Sequence, residues 1–178
     1  MNPLKLLSGL LALALLAACA SPVDPAAYAK EKPVLDLQEY FNGTVDAWGM
    51  FQDRSGKVSK RFTVVIDCRW EGDTGTLDEH FSYSDGTHQR RVWTLHKTGP
   101  NRFIGRAADV VGDAVGEVAG NALRWRYVLQ LPVDGKIYDM QMEDWMYLVD
   151  RDVMLNRAVM RKFGFTVGSV TLSFRKRR

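Results

Sequence analysis

Residues 124–145 read RWRYVLQLPVDGKIYDMQMEDW, and this stretch decides the fold. Asp134-Gly135 is a typical two-residue hairpin turn, and apolar residues alternate with polar ones on both sides of it. If Val133 faces Lys136, the apolar side chains collect on one face, and Arg126 lies opposite Glu143 on the other. A slip of one residue would destroy both features. The stretch therefore predicts two antiparallel strands that point six side chains inward: Trp125, Tyr127, Leu129, Tyr138, Met140 and Met142.

Further sequences typical of turns occur on both sides of this hairpin, among them Ser55-Gly56, Asp73-Thr74-Gly75, Asp85-Gly86, Gly99-Pro100-Asn101 and Asp150-Arg151. The runs between them are rich in Val, Thr and aromatic residues, which favours strands joined as hairpins. Long strands in one domain must be closed or stacked so that no edge stays open. We therefore predict an all-β protein, an antiparallel up-and-down, lipocalin-like β-barrel of about 8–10 strands.

Two other segments show the same alternation of apolar and polar residues. Their apolar faces are Phe62, Val64, Ile66, Cys68 and Trp70 in one, and Val170, Leu172 and Phe174 in the other. The segment 112–120 is ambiguous, because glycine recurs there every fourth residue. We interpret it as short strands with glycine at bends or tight contacts. A short helix that caps one end of the barrel is the alternative.

The start of the chain carries an export signal. Lys5 precedes a short apolar run that ends in Leu16-Ala17-Ala18-Cys19, an arrangement typical of secretory signals. The ending resembles the lipobox of bacterial lipoproteins, which implies that Cys19 is lipidated and becomes the first mature residue. Ala20 after it implies an outer-membrane location on the periplasmic face. We predict a signal peptide over residues 1–18, a lipidated tether over 19–34 and a single β-barrel domain over 35–178.

Charge and cysteine content exclude several classes of protein. The net charge of +3 falls to +2 when Lys5 is removed with the signal, so nothing points to nucleic acid as a partner. Once Cys19 carries lipid, Cys68 has no partner for a disulfide within the chain, and we interpret it as a small core residue. The basic tail 175–178 is either a solvated terminus or a contact for anionic lipid headgroups.

No motif in the sequence assigns a reaction. The three histidines, His80, His88 and His96, do not have the spacing of a zinc site, so we predict no metal. Nucleophile elbows, phosphate loops and dinucleotide fingerprints are absent, so we predict no cofactor and assign no catalytic residue. The sequence favours a protein that is not an enzyme but does not decide the point.

Two ion pairs are candidates for a site. If Asp150-Arg151 is a two-residue turn, Asp144 lies inside the barrel directly opposite Arg157. This pair is either a salt bridge that fixes the barrel or a polar anchor for the headgroup of a ligand. If Asp85-Gly86 is also a two-residue turn, Glu79 and Arg90 are diagonal neighbours on one face. The predicted ligand-binding set is Trp125, Tyr127, Met140, Met142, Asp144, Met146 and Arg157.

Several blocks of the sequence resemble a known family. They are residues 39–43, 47–54, 89–93, 120–127 and 144–148. The resemblance is to a family of uncharacterised proteobacterial lipoproteins, domain of unknown function 3833, and it extends over about residues 35–176. It implies a lipid-anchored domain and carries no catalytic residues with it.

We therefore expect a membrane-tethered barrel that binds a hydrophobic or amphipathic small molecule, a lipid or a fatty acid. Its partners would be the membrane, through the lipid on Cys19, and that ligand. One alternative is a structural or assembly lipoprotein whose barrel is filled by its own side chains. The other is an enzyme that acts on a lipid-derived substrate.

Overall fold

A computed structural model describes residues 23–178, and these form a closed antiparallel barrel. Every strand pairs with its neighbours in sequence, and the last strand closes on the first. This confirms the predicted lipocalin-like up-and-down β-barrel. The ten strands are β1 Gly43–Asp53, β2 Val58–Glu71, β3 Thr74–Tyr83, β4 His88–Gly99, β5 Arg102–Arg106, β6 Val110–Ala119, β7 Ala122–Val133, β8 Lys136–Leu148, β9 Val153–Lys162 and β10 Phe165–Lys176.

The hairpin of β7 and β8 has the predicted register. Trp125 pairs with Asp144, and Tyr127 pairs with Met142. Asp134 and Gly135 have φ angles of 49° and 76°, and two successive left-handed residues make the turn type that matches the twist of a hairpin. The six side chains predicted to point inward are all buried in the core or packed against it.

The turn between β8 and β9 is one residue longer than predicted. The amide of Val149 donates to the carbonyl of Val153, which leaves a three-residue loop. Its first residue, Asp150, accepts hydrogen bonds from the amides of Asp152 and Val153 at 2.8 and 2.7 Å. Such a side-chain turn stabilises the longer loop.

The extra residue changes every pairing between these two strands. Asp144 lies opposite Ala158, and Arg157 lies opposite Trp145 on the outer wall. The predicted opposition of Asp144 and Arg157 is therefore wrong. Because side chains alternate between the two faces of a strand, a shift of one residue exchanges the inner and outer sets.

The turn between β3 and β4 has the same extra residue. The amide of Tyr83 donates to the carbonyl of Thr87, and Gly86 has a φ of 81°, as the last residue of such a three-residue loop requires. Glu79 consequently pairs with Arg91 inside the barrel, whereas Arg90 pairs with His80 outside it. The predicted proximity of Glu79 and Arg90 on one face is therefore wrong, and the next residue, Arg91, takes the place of Arg90.

The core is continuous along the barrel, and one end of the barrel is closed. A short helix, α1 (Leu37–Tyr40), begins at Asp36, whose side chain accepts hydrogen bonds from two amides of the first turn. Leu37, Tyr40 and Phe41 are buried across this end. The indole of Trp70 donates to the carbonyl of Phe41 at 2.8 Å, which ties the helix to β2.

The segment that precedes α1 lies on the outer wall near that closed end. A 3-10 helix, Pro25–Tyr28, places Tyr28 against Trp145 and Tyr147 of β8. Gly120, with a φ of 54°, leaves room for the carbonyl of Tyr28 where a β-carbon would collide. Residues 25–28 of the predicted tether thus pack on the barrel. Cys19 and the predicted signal peptide lie outside the described residues.

The glycine-rich segment 112–120 belongs to β6, as the strand interpretation predicts. Gly112, with a φ of 68°, lies in a register irregularity between Val111 and Val115, and Gly116 packs against Trp125. The alternative of a capping helix in this segment is wrong.

The basic tail is held on the barrel by acidic partners. Arg177 forms an ion pair with Asp46, and Arg178 forms one with Asp152. Among residues 23–178, no helix has the length and apolarity needed to cross a bilayer.

Within residues 23–178, every strand finds both of its neighbouring strands, and the barrel closes on itself. We infer that this part of the chain folds on its own.

Candidate functional site

The barrel encloses a cavity of about 1000 Å³. It begins above Leu37 and Phe41 at the closed end, and it extends to the turns at the opposite end, where Lys60, Thr87 and Val133 line it. We call this second end the mouth. The volume reaches the upper range of pockets that hold small molecules in proteins, and most of its wall is apolar. A barrel filled by its own side chains, one of the alternatives from the sequence, does not fit this cavity.

Most of the predicted ligand-binding residues line the cavity: Trp125, Tyr127, Met142, Asp144 and Met146. Met140 is buried in the core without belonging to the cavity wall. Arg157 is exposed on the outside of the barrel, because the longer turn before β9 reverses the direction in which it points. It is not part of the cavity.

Aromatic side chains form one wall of the cavity. The ring of Trp93 on β4 lies edge-on to Trp125 and Tyr127, with centroid separations of 6.0 and 5.4 Å. Gly105 on β5 and Gly116 on β6 leave the space that the indole of Trp125 occupies. The wall is therefore rigid and apolar.

A charged cluster crosses this apolar interior. The guanidinium of Arg91 binds the carboxylate of Asp109 through Nη2 at 2.7 Å and through Nε at 2.9 Å. Glu79 lies on the other side of Arg91, with 3.8 Å between its Oε2 and Arg91 Nη1. That oxygen is buried and has no hydrogen-bond partner among the described residues. A buried polar atom without a partner is uncommon in proteins and calls for one, such as an ordered water or a ligand atom.

Asp144 is the second buried carboxyl group of the cavity, with 8% of its surface exposed. Asn156 donates its side-chain amide to Asp144 Oδ1 and also to the carbonyl of Trp145. Asn156 itself is buried and lines the cavity. The partner of Asp144 is thus a neutral amide, and not the arginine that the sequence predicted.

The electrostatics of the cluster favour protonated carboxyl groups. Burial raises the pKa of Glu79 to about 7, although Arg91 opposes the change. Burial also raises the pKa of Asp144 to about 6, and the hydrogen bond from Asn156 opposes it. Desolvation raises the pKa of the Tyr127 hydroxyl far above its ordinary range, and the charge of Asp144 adds to this effect. The single guanidinium of Arg91 is therefore shared among more acidic groups than it can neutralise.

Sequence reasoning missed Arg91, Asp109 and Trp93 as cavity residues. The three-residue turn before β4 decides that Arg91 points inward, and the sequence Ser84-Asp85-Gly86 carried the signal, since a glycine in the third position is typical of that loop. No local sequence pattern predicts that Asp109 points into the cavity. It binds Arg91 from the turn between β5 and β6.

The histidines do not form a metal site with other ligands. His80 and His88 share the outer face of β3 and β4, because His88 pairs with Ser82 and His80 pairs with Arg90. A two-residue turn at Asp85-Gly86 would instead place these two histidines on opposite faces. Within residues 23–178, no group of three His, Cys, Asp or Glu side chains has the geometry to hold a metal ion.

The fold and the cavity define a lipocalin-like β-barrel with an internal cavity. The sequence model of DUF3833, described as a protein of unknown function, matches residues 13–176, and the chain belongs to this family. No functionally curated protein matches the chain.

Two solved structures share the fold. One is the S-type phycobiliprotein lyase CPES from Guillardia theta, with 10% identity and a TM-score of 0.58, in an alignment that covers 88% of this chain and 99% of the lyase. The other is a protein of unknown function from the DUF3598 family of Nostoc punctiforme, with 10% identity and a TM-score of 0.59. Its alignment covers 89% of this chain and 53% of that protein. At such identity the likeness shows the fold alone.

Proposed function

We propose that the chain is a binding protein for a hydrophobic or amphipathic small molecule, a lipid or a molecule derived from one, which it holds inside the barrel. The single observation that carries this proposal is the cavity of about 1000 Å³. An apolar cavity of that size within a closed barrel is the usual setting for such a ligand.

The apolar body of the ligand would pack against the aromatic wall. Trp93, Trp125 and Tyr127 offer flat rings on one side, and Met142 and Met146 offer adaptable side chains beside them. The polar end would reach the cluster around Arg91 and Asp144. Burial of apolar surface would supply the affinity at about 25 cal/mol per Å² before the cost of ordering the ligand.

We also propose that a lipid on Cys19 anchors the protein at the periplasmic face of the outer membrane. The lipobox-like ending of residues 16–19 supports this. Because residues 25–28 already pack on the barrel near its closed end, the tether between Cys19 and the barrel would be only a few residues long. The mouth, at the other end of the barrel, would then point away from the anchoring membrane.

The decisive experiment is native mass spectrometry of the full chain after gentle extraction from membranes, together with titration by the apolar probe N-phenylnaphthylamine. We expect a co-purified apolar molecule, or saturable binding of the probe. The test variant is Ala158→Phe, because Ala158 lines the cavity opposite Asp144 and a phenyl ring there would fill part of it.

The matched control is Val159→Phe on the next position of β9, which points away from the cavity and pairs with Glu143. Ala158→Phe should lose the ligand and the probe, whereas Val159→Phe should keep both. Far-ultraviolet circular dichroism checks that both variants fold. A folded wild-type protein that retains no molecule and takes up no probe would refute the proposal.

Enzymatic action on a lipid-derived substrate is the second candidate. It is favoured by Glu79 and Asp144, because carboxyl groups with a pKa near neutrality are suited to proton transfer. Turnover of a bound lipid that stops in Asp144→Asn would support this candidate over simple binding.

A further inference from the structure

The charged groups inside the cavity are unequally balanced. Glu79, Asp109 and Asp144 contribute three carboxyl groups, whereas Arg91 is the one cation inside the described cavity wall, and it pairs with Glu79 and Asp109 only. The other basic groups of the wall, Lys60 and His88, lie at the mouth, and Lys60 already pairs with Asp85. The interior thus has more acidic than basic side chains.

Two of the three guanidinium nitrogens of Arg91 are engaged by Asp109, and the third lies too far from Glu79 for a hydrogen bond. Nε and Nη2 of Arg91 both bind Asp109, and its Nη1 faces Glu79. A ligand carboxylate at Arg91 would bring a further negative charge next to Glu79 and Asp109. Like charges at short range in a desolvated site repel strongly, so a carboxylate is the wrong headgroup for this cavity.

The acceptors, in contrast, have capacity left. Glu79 Oε2 is buried without a hydrogen-bond partner, and the one side-chain donor to Asp144 is the amide of Asn156. The two carboxyl groups interact, because the charge of Asp144 raises the pKa of Glu79. A donor that enters between them would satisfy the unpartnered oxygen, which is where a directed polar contact gains most.

We propose that the inner end of the bound molecule is a hydrogen-bond donor, a hydroxyl or a protonated amine, received by Glu79 and Asp144. This rests on the proposed function, since it names the polar end of the molecule held in the same cavity. It excludes free fatty acids as the preferred ligands. It favours apolar alcohols, amines and lipids with a hydroxyl-bearing end.

The test compares three ligands with one identical alkyl chain: lauric acid, lauryl alcohol and laurylamine. Each is titrated against residues 23–178 loaded with N-phenylnaphthylamine, at about pH 8, where Glu79 is ionised. We expect laurylamine and lauryl alcohol to displace the probe at least about tenfold more strongly than lauric acid. The variant Glu79→Gln should reduce the preference for the amine over the acid about tenfold.

The control variant is Glu71→Gln, an exposed glutamate at the end of β2, which should leave the order of the three ligands unchanged. It separates binding in the cavity from attraction to the protein surface. If lauric acid binds as tightly as the other two, or more tightly, the inference is overturned and the binding function stands. If the probe binds but none of the three ligands displaces it, the inference is overturned as well. If neither probe nor ligand binds, the proposed function itself has failed.

Discussion

Gly116 and Trp125 face each other across β6 and β7, and the indole of Trp125 lies where a β-carbon on residue 116 would be. Gly105, on the next strand β5, lies under another edge of the same ring system. The two glycines thus form a recess in the barrel wall that holds the indole flat. Close approach of a side chain to bare backbone is a common reason for glycine within a strand.

This relationship predicts that Gly116→Ala destabilises the barrel by about 1–3 kcal/mol, as overpacking of a tight core does. The added methyl group would push the indole toward the cavity, so binding of N-phenylnaphthylamine should weaken as well. Urea unfolding and probe titration measure the two effects. Gly99→Ala is the control, because a β-carbon there would meet only the β-carbon of Arg102 at 3.9 Å. Equal stability of the two variants would show that the recess is not tight.

The neighbouring arginines of β4 offer a second prediction. Arg91→Gln removes the partner of Asp109 and Glu79, and we expect a loss of about 3 kcal/mol, because acidic groups then remain in the cavity without a cation. Arg90→Gln removes a solvated pair with Asp78 outside the barrel and should leave stability nearly unchanged. Urea unfolding of both variants at neutral pH measures the difference. The opposite ranking would mean that the two-residue turn was right and that Arg90 points inward.

The fold could be predicted because alternation of apolar and polar residues is a property of each strand alone. The stripe from Phe62 to Trp70 and the register of the β7–β8 hairpin both followed from it. In that hairpin the turn is Asp134-Gly135. Both residues have left-handed backbone angles, which is typical of a two-residue loop. Strand pairing was therefore predictable where the turn chemistry was unambiguous.

The site was harder to predict, because the number of residues in a turn decides which side chains of the next strand point into the barrel. Asp85-Gly86 and Asp150-Arg151 were interpreted as two-residue turns, and both belong to three-residue loops. One extra residue moved Arg91 into the cavity, and one moved Arg157 out of it. The polar cluster also needs Asp109 from a distant turn, and no local pattern specifies a contact of that kind.

Cys68 provides a third prediction, on reactivity. Its thiol is buried within the barrel, and burial raises its pKa to about 12, so little thiolate exists at neutral pH. We expect iodoacetamide to alkylate Cys68 slowly in native residues 23–178 and rapidly in urea. Mass spectrometry of timed samples follows the reaction. Rapid alkylation of the folded protein would mean that the wall at β2 opens often.

The buried carboxyl groups make a fourth prediction, on pH. Glu79 faces Arg91, Asp109, Asp144 and Trp93, and burial raises its pKa from an ordinary value of 4.5 to about 7. The folded state therefore holds a proton that the unfolded state releases above about pH 4.5. The stability that this proton supplies is full at acidic pH and is lost as the pH rises through 7. The displacement of the pKa corresponds to about 3 kcal/mol.

Glu79→Gln keeps the shape of the side chain and removes the titration, so it should gain stability relative to the wild type by about 3 kcal/mol between about pH 4 and pH 8. The gain is the difference between two urea unfolding series, in which groups unaffected by the substitution cancel. Glu71→Gln, on the exposed end of β2, should show no such trend. A difference that stays flat with pH for Glu79→Gln would mean that Glu79 titrates as it does in the unfolded chain, and the cavity would then be wetter and less apolar around Arg91 than its lining indicates.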